Sequence, residues 1–190
     1  PYKKGNWYFT DTNINTQKIK YIMEYTKSGL IHNEYKEFYR NGILHIHSLY
    51  NKGSEEGMYK EYYDNGRPYI QTQKTKSKFI GQYKEFSNNP HSSLIKLGEY
   101  VQENNKVFLK NAEIFNNVNK RIYEGDLDQQ NRYSGPGKLY FNNDTNSIQY
   151  EGEFKNGKFH NTGTIYFLNE NLSYQGGFCN GKRHGTGTSY

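Results

Sequence analysis

Four histidines stand in pairs whose spacing is compatible with metal coordination. His160 and His184 lie 24 residues apart in similar basic turns. His45 and His47 flank one isoleucine, so a strand would place both imidazoles on one face. Structural zinc sites take four ligands, and the chain has a single cysteine. Neither pair has a visible third or fourth ligand, so we predict no metal site and interpret these histidines as polar positions of a repeat.

The single thiol and the glutamates lack the surroundings that catalysis requires. Cys179 stands beside a predicted turn, and a cysteine nucleophile needs an activating base and an oxyanion pocket. Glu124, Glu151 and Glu153 lie in strand-like segments, where a shared face is ordinary. A catalytic carboxylate pair also needs a concave pocket that shifts one pKa. We therefore predict no catalytic residue, no cofactor and no enzymatic activity for this chain.

Lysines give the clearest sign of a partner. Lys74, Lys76 and Lys78 alternate along the chain, and Lys84 follows. One continuous strand would project the first three from the same face. Such a row can meet acidic phospholipid headgroups, at about 1 kcal/mol for each lysine, or an acidic protein surface. A solvated edge that prevents sheet aggregation is the third interpretation. No nucleic-acid-binding pattern accompanies the charge, so we expect no nucleic acid partner.

The composition favours a β-rich fold. The chain of 190 residues has one alanine but 20 tyrosines and 11 phenylalanines. Such a chain is a poor helix former and is too aromatic for a disordered one. Residues 1–110 carry the whole net charge of +6, and residues 111–190 are neutral. An electrostatic preference for an acidic partner therefore belongs to the first part.

Features of the whole chain bear on its location. No apolar run is long enough for a transmembrane helix, and no signal segment opens the chain. The single cysteine indicates a reducing, intracellular compartment. Because the chain begins at Pro1 and stops at Tyr190 within a pattern, we expect it to be a fragment of a longer protein.

A repeat of 24 residues organises the N-terminal half. Tyr-Lys-Glu-Phe/Tyr blocks begin at Tyr35, Tyr59 and Tyr83. They are followed by the turn residues Asn41-Gly42, Asn65-Gly66 and Asn88-Asn89, and Asn-Gly readily adopts the positive φ angles of a tight hairpin turn. Each block is therefore predicted to be a strand entering a reversal.

A second series covers the C-terminal third. Tyr150-Glu151-Gly152-Glu153-Phe154 is matched 24 residues later from Tyr174, and a looser copy starts at Tyr123. In a strand the tyrosine, glycine and phenylalanine share one face. The glycine leaves space for a neighbouring ring to lie over the backbone. The residues that define the repeat are Tyr35, Tyr59, Tyr83, Tyr123, Gly125, Tyr150, Gly152, Phe154, Gly157, Gly163, Tyr174, Gly176, Phe178, Gly181, Gly185 and Gly187.

The two series form halves of one hairpin unit. Equivalent second-strand positions recur every 24 to 27 residues, with one copy missing near Lys74. Degenerate joints are expected around residues 10–20, 87–95 and 110–120. A single hairpin is marginal in water, so the units must pair edge to edge. The prediction is an all-β, elongated, single-layer twisted antiparallel sheet of about eight successive hairpins, with divergent basic repeats in 1–110 and more typical ones in 111–190.

These motifs resemble MORN repeats (membrane occupation and recognition nexus). The resemblance is clearest over residues 123–190, whereas the units around 70–120 have lost most of the motif. The N-terminal blocks resemble a divergent variant of the repeat found in bacterial antitoxin-like proteins. The resemblance implies a sheet of successive hairpins, with roles in scaffolding, dimerisation, and cytoskeletal, ciliary or membrane-adjacent assemblies.

Three functions without catalysis follow from these observations. The leading hypothesis is a scaffold that binds other protein subunits of a larger complex, and homodimerisation is compatible with it. The second is a peripheral membrane module that uses the region of Lys74 to Lys84 on acidic phospholipid. The third is an antitoxin- or immunity-type binding protein, which depends on the N-terminal blocks alone. A catalytic domain outside the fragment is a further alternative.

Overall fold

The protein is built from β-strands. A computed structural model describes residues 3–10, 17–89, 94–143 and 146–190, which form strands and no helix. The strands are β1 Lys3–Thr10, β2 Gln17–Tyr25, β3 Ile31–Phe38, β4 Leu44–Asn51, β5 Ser54–Tyr62, β6 Pro68–Thr75, β7 Lys78–Phe86, β8 Leu94–Glu103, β9 Lys106–Phe115, β10 Arg121–Leu127, β11 Tyr133–Tyr140, β12 Ile148–Lys155, β13 Lys158–Tyr166, β14 Leu172–Cys179 and β15 Lys182–Ser189.

The chain divides into two compact units, Pro1–Asn88 and Asn89–Tyr190. In unit 1, strands β1 to β7 pair antiparallel in chain order. In unit 2, strands β8 to β15 do the same. The predicted fold class, an all-β sheet of successive antiparallel hairpins, is confirmed. The predicted subdivision near residue 110 stays a prediction.

Tight turns lie at one end of the hairpins. Asn156-Gly157 and Asn180-Gly181 each link two strands directly, with φ of 56° and 78° in the first and 51° and 84° in the second. Positive φ at both positions matches the right-handed strand twist, which favours Asn-Gly there. The reversal predicted at Asn41-Gly42 is confirmed, but the connection spans residues 39–43, and within it only Gly42 has positive φ, at 89°.

The divergent segments nevertheless form regular strands. The expected missing copy near Lys74 is instead the complete strand β6, which pairs with β5 and β7. Residues 110–115 complete β9, and only 116–120 form a turn. Backbone pairing therefore continues although the aromatic motif is lost. The other two predicted joints lie partly outside the described residues.

Candidate functional site

A tyrosine lying over glycine forms the core element of unit 2. The ring of Tyr150, fully buried, covers the backbone of Gly152 and Gly163, which face each other on β12 and β13. A Cβ added at Gly163 would lie 2.5 Å from the Tyr150 Cζ atom. The Tyr150 hydroxyl donates a hydrogen bond of 3.0 Å to the carbonyl oxygen of Glu153. Burial raises the pKa of Tyr150 to about 12.

Neighbouring rings hold this tyrosine in place. Phe159 stacks on Tyr150 at a centroid distance of 3.8 Å, and Phe154 and Phe178 contact it edge-on at 5.1 and 5.4 Å. Offset and edge-to-face geometry is preferred because the ring faces are negative and the edges positive. The aromatic residues of successive hairpins therefore form one continuous packed row.

The same arrangement recurs one repeat away on each side. Tyr123 covers Gly125 and Gly137, and Tyr174 covers Gly176 and Gly187. Their hydroxyls donate to backbone carbonyl oxygens three residues on, at 2.8 and 3.2 Å. The predicted role of the repeat glycines, to leave room for a ring, is confirmed here.

The opposite face of unit 2 carries an open acidic groove of about 540 Å³. Its lining includes Glu124 and Glu151, which were considered as catalytic acids. Arg121 donates to Glu124 at 3.0 Å, and Lys138 approaches Glu151 at 3.5 Å. Both carboxylates therefore have cationic partners on the sheet, and we interpret the two glutamates as structural residues.

In unit 1 the Tyr-Lys-Glu-Phe/Tyr blocks divide their side chains between two faces. Tyrosine and glutamate share one face, where Tyr59 donates a hydrogen bond of 2.8 Å to Glu61. Tyr35 does the same to Glu37, at 3.1 Å. Burial, together with the neighbouring carboxylate, raises the pKa of Tyr59 well above its usual range. The lysine and the last aromatic of each block therefore lie on the other face.

On that other face, directly paired residues form a row across five strands. Lys36 pairs with His47, and His47 pairs with Lys60. Lys60 pairs with Gln71, which pairs with Lys84 on β7. Directly opposite residues point to the same side of a sheet. We call these five residues the lysine row.

Charges within the lysine row are only partly compensated. Glu34 lies 2.8 Å from the Lys36 ammonium and 2.9 Å from His47 Nε2. The hydrogen bond from Lys36 is the main cause of the lowered pKa of Glu34. Among the described residues, Lys60 and Lys84 have no ion pair. The row was not predicted as a unit, although the 24-residue spacing of its lysines was visible.

Lys74, the first of the predicted binding lysines, lies on the tyrosine face instead. Its ammonium is 2.7 Å from Glu55, 3.7 Å from the centre of the Tyr59 ring and 5.1 Å from that of Phe79. Only 13% of the side chain is exposed. Lys74 occupies the repeat position of Phe154, so an ammonium held by a carboxylate and two rings replaces an aromatic side chain.

The predicted alignment of Lys74, Lys76 and Lys78 is wrong. A two-residue turn at Lys76-Ser77, with φ of 50° and 59°, interrupts the run. Lys78 therefore begins β7 opposite Thr75, on the face away from Lys74. Lys76 and Lys78 are exposed, and Lys84 lies in the lysine row. Binding of a partner or of lipid by these residues stays a prediction.

Lys74→Met is expected to destabilise unit 1 by about 2 kcal/mol, because it leaves the Glu55 carboxylate poorly exposed and without its cation. Urea unfolding followed by far-UV circular dichroism measures this free energy. The double variant Lys74→Met/Glu55→Gln should recover part of the loss. Equal stability of Lys74→Met and the unmodified protein would contradict the structural role assigned to this lysine.

The turns of unit 1 carry a second basic series. Exposed lysines occupy the three turns that join β2 to β3, β4 to β5 and β6 to β7, which lie at the same end of the hairpins. They are Lys27, Lys52 and Lys76, which we call the edge lysines. These turns alternate along the chain with the turns at the opposite end of the hairpins, so the three lysines lie one repeat apart.

The remaining candidates do not assemble into a reactive site. His45 lies 3.4 Å from Glu37 and 3.6 Å from Glu61, whereas His47 contacts Glu34 on the opposite face. The expected shared face of these histidines is wrong, because a register shift occurs at His45.

Among the residues that the structure describes, no group of three or more His, Cys, Asp or Glu side chains is arranged to hold a metal ion. Cys179 is partly exposed and free at the end of β14. The described part of the chain also contains no helix able to span a bilayer.

These features define a repeat protein made of β-hairpins that carries charged side chains on open sheet faces. Residues 150–171 and 174–190 match the family model of the MORN repeat, so residues 150–190 contain MORN repeats. The N-terminal blocks are not matched, and their likeness to the antitoxin-like variant stays a prediction. No curated protein is significantly similar to the chain. MORN repeats are non-catalytic modules that generally serve protein or membrane interaction.

Proposed function

We propose that this chain is a non-catalytic protein-interaction module within a larger assembly. The observation that carries this proposal is the lysine row, with its two uncompensated ammonium groups on an open sheet face. Partial charge compensation on a broad surface favours recognition of an acidic protein, because complementary charge increases association rates and specificity. Other subunits are the expected partners, and a second copy of the chain is compatible with this function.

Affinity capture from the native cells, followed by cross-linking mass spectrometry, tests the proposal. The full-length protein should bring down stoichiometric protein partners, with cross-links concentrated on Lys60 and Lys84. The matched comparison is a variant in which both lysines are replaced by threonine. Recovery of the protein alone, or with lipid only, would contradict the interaction function.

The edge lysines support a second candidate, a peripheral membrane module. Three lysines in turns at the same end of the hairpins can approach an anionic surface together, whereas Lys74 forms an ion pair with Glu55. At about 1 kcal/mol for each lysine, the three together would strengthen vesicle binding about 100-fold. The partner that the chain binds determines whether it associates with the cytoskeleton or with a membrane in the cell.

Vesicle sedimentation separates this candidate from the first. Vesicles containing phosphatidylserine should bind the protein at low salt, and Lys27→Gln/Lys52→Gln/Lys76→Gln should reduce binding about 100-fold. Vesicles of phosphatidylcholine alone are the control for surface charge. Undiminished binding of the triple variant would exclude the edge lysines as the membrane site.

A further inference from the structure

The lysine row runs beside a row of aromatic side chains on the same face of unit 1. Each Tyr-Lys-Glu-Phe/Tyr block places an aromatic residue two positions after its lysine, in β3, β5 and β7. Residues two apart in a strand share a face. The aromatic residues are Phe38, Tyr62 and Phe86, and all three are partly exposed.

Bonds between repeats hold these rows at a constant spacing. The Tyr39 hydroxyl donates to the carbonyl oxygen of Tyr62, and the Tyr63 hydroxyl donates to that of Phe86, both at 2.8 Å. Neighbouring strands lie about 4.8 Å apart, so lysines on every second strand are about 9.6 Å apart. The face therefore presents one lysine and one aromatic ring on every second strand, at intervals of about 9.6 Å.

The sheet itself does not require lysine at these positions. In unit 2, Thr164 pairs with Glu151 and with Gln175, as Lys60 pairs with His47 and Gln71. Threonine is a good strand residue and fits the same backbone. The lysines of unit 1 are thus separable from the fold, which favours a role in binding.

A polyproline II helix has the matching period. It has three residues per turn and rises about 3.1 Å per residue, so every third side chain lies on one side at intervals of about 9.3 Å. Proline rings of such segments dock on exposed aromatic side chains. Glutamate or aspartate at every third position would meet successive lysines, with prolines over the aromatic row.

The geometry points to an acidic, proline-containing segment of a partner protein, bound in the polyproline II conformation across β3 to β7. This inference rests on the proposed function and names the chemistry of its partner. The segment crosses the strands, so the carboxylates contact Lys36, Lys60 and Lys84 in turn. Lys36 exchanges its contact with Glu34 for the incoming carboxylate, and the other two need no exchange.

Fluorescence anisotropy with two labelled peptides tests the inference. The first repeats Glu-Pro-Pro five times, and the second has the same composition with its five glutamates contiguous. The first should bind the unmodified protein about fivefold more tightly or better, because only it aligns a carboxylate with each lysine. Its binding should weaken as salt is raised.

Variants separate the lysine row from general positive charge. Lys60→Thr/Lys84→Thr should weaken binding of the Glu-Pro-Pro peptide about fivefold or more. The control Lys106→Thr/Lys158→Thr removes two exposed lysines that begin strands of unit 2, and binding should not change. Circular dichroism tests whether each variant is folded. If the double variant is unfolded, the single variant Lys84→Thr replaces it in the binding measurement.

Three results would overturn the inference. They are equal binding of the two peptides, equal loss in the control variant, and binding to phosphatidylserine vesicles without binding to either peptide. Failure of the peptides together with capture of protein partners cross-linked at Lys60 and Lys84 would reject the polyproline II segment and retain the interaction function. Failure of both the peptide-binding experiment and the capture experiment would reject both the polyproline II segment and the interaction function.

Discussion

Tyr150→Ala is expected to destabilise unit 2 by about 3–5 kcal/mol, the range for removing a buried aromatic ring. Tyr150 is fully buried and contacts three other rings, on β12, β13 and β14. Its removal leaves a cavity beneath Gly152 and Gly163 that glycines cannot fill. The hydrogen bond from its hydroxyl to the Glu153 carbonyl oxygen is lost as well.

Hydrogen exchange with mass spectrometry localises this effect. Amides of β12 to β14 should exchange faster in the variant, while those of β3 to β5 in the other unit should not. Tyr190→Ala is the matched control, because Tyr190 is 64% exposed and has little packing to lose. Similar exchange for the two variants would contradict the assignment of Tyr150 to the core.

Gly163→Ala is expected to cost about 3 kcal/mol, near the upper limit for one added methyl group in a packed core. The new Cβ would overlap the Tyr150 ring, which Phe159 and its neighbours hold in place. The ring must therefore move out of its stack, and its hydrogen bond to the Glu153 carbonyl oxygen breaks. Gly163 itself has no positive φ, so the cost is steric.

Gly185→Ala provides the comparison. Gly185 has open space around it but a φ of +72°, so alanine there costs only about 1 kcal/mol of backbone strain. Urea unfolding of both variants gives the two free energies. A loss at Gly163 no greater than that at Gly185 would show that the ring does not lie over this glycine.

The hairpin order and the tyrosine-glycine contacts were predictable because they depend on local spacing. Tyr150 and Gly152 lie two residues apart on β12, and the Asn156-Gly157 turn brings Gly163 of β13 opposite Gly152. Alternation along a strand and pairing with the next one are then sufficient to place a ring over a glycine.

The role of Lys74 was not predictable from alternation alone. Its position 24 residues after Tyr50 indicated a repeat site, but the lysine run suggested one continuous strand. Lys76-Ser77 adopts the two-residue turn without a glycine, which local turn preferences do not favour. The contacts with Glu55 and Tyr59 depend on pairing across two strands, which the run itself does not contain.

The lysine row was missed for a related reason. Each lysine was seen as part of a local block, whereas the row arises only when register places Lys36, Lys60 and Lys84 on directly paired positions. A one-residue shift would move one lysine to the tyrosine face. Register depends on turn lengths, and the sequence predicted only some of these.

Cross-linking of the captured protein, comparing the unmodified chain with Lys60→Thr/Lys84→Thr, tests the interaction function most directly. We predict that the unmodified protein captures stoichiometric protein partners, which are cross-linked to the lysine-row face of unit 1. We predict that the variant does not capture these partners. Partners retained equally by the variant would place binding on another surface. Capture of the unmodified protein without any protein partner would contradict the proposed function itself.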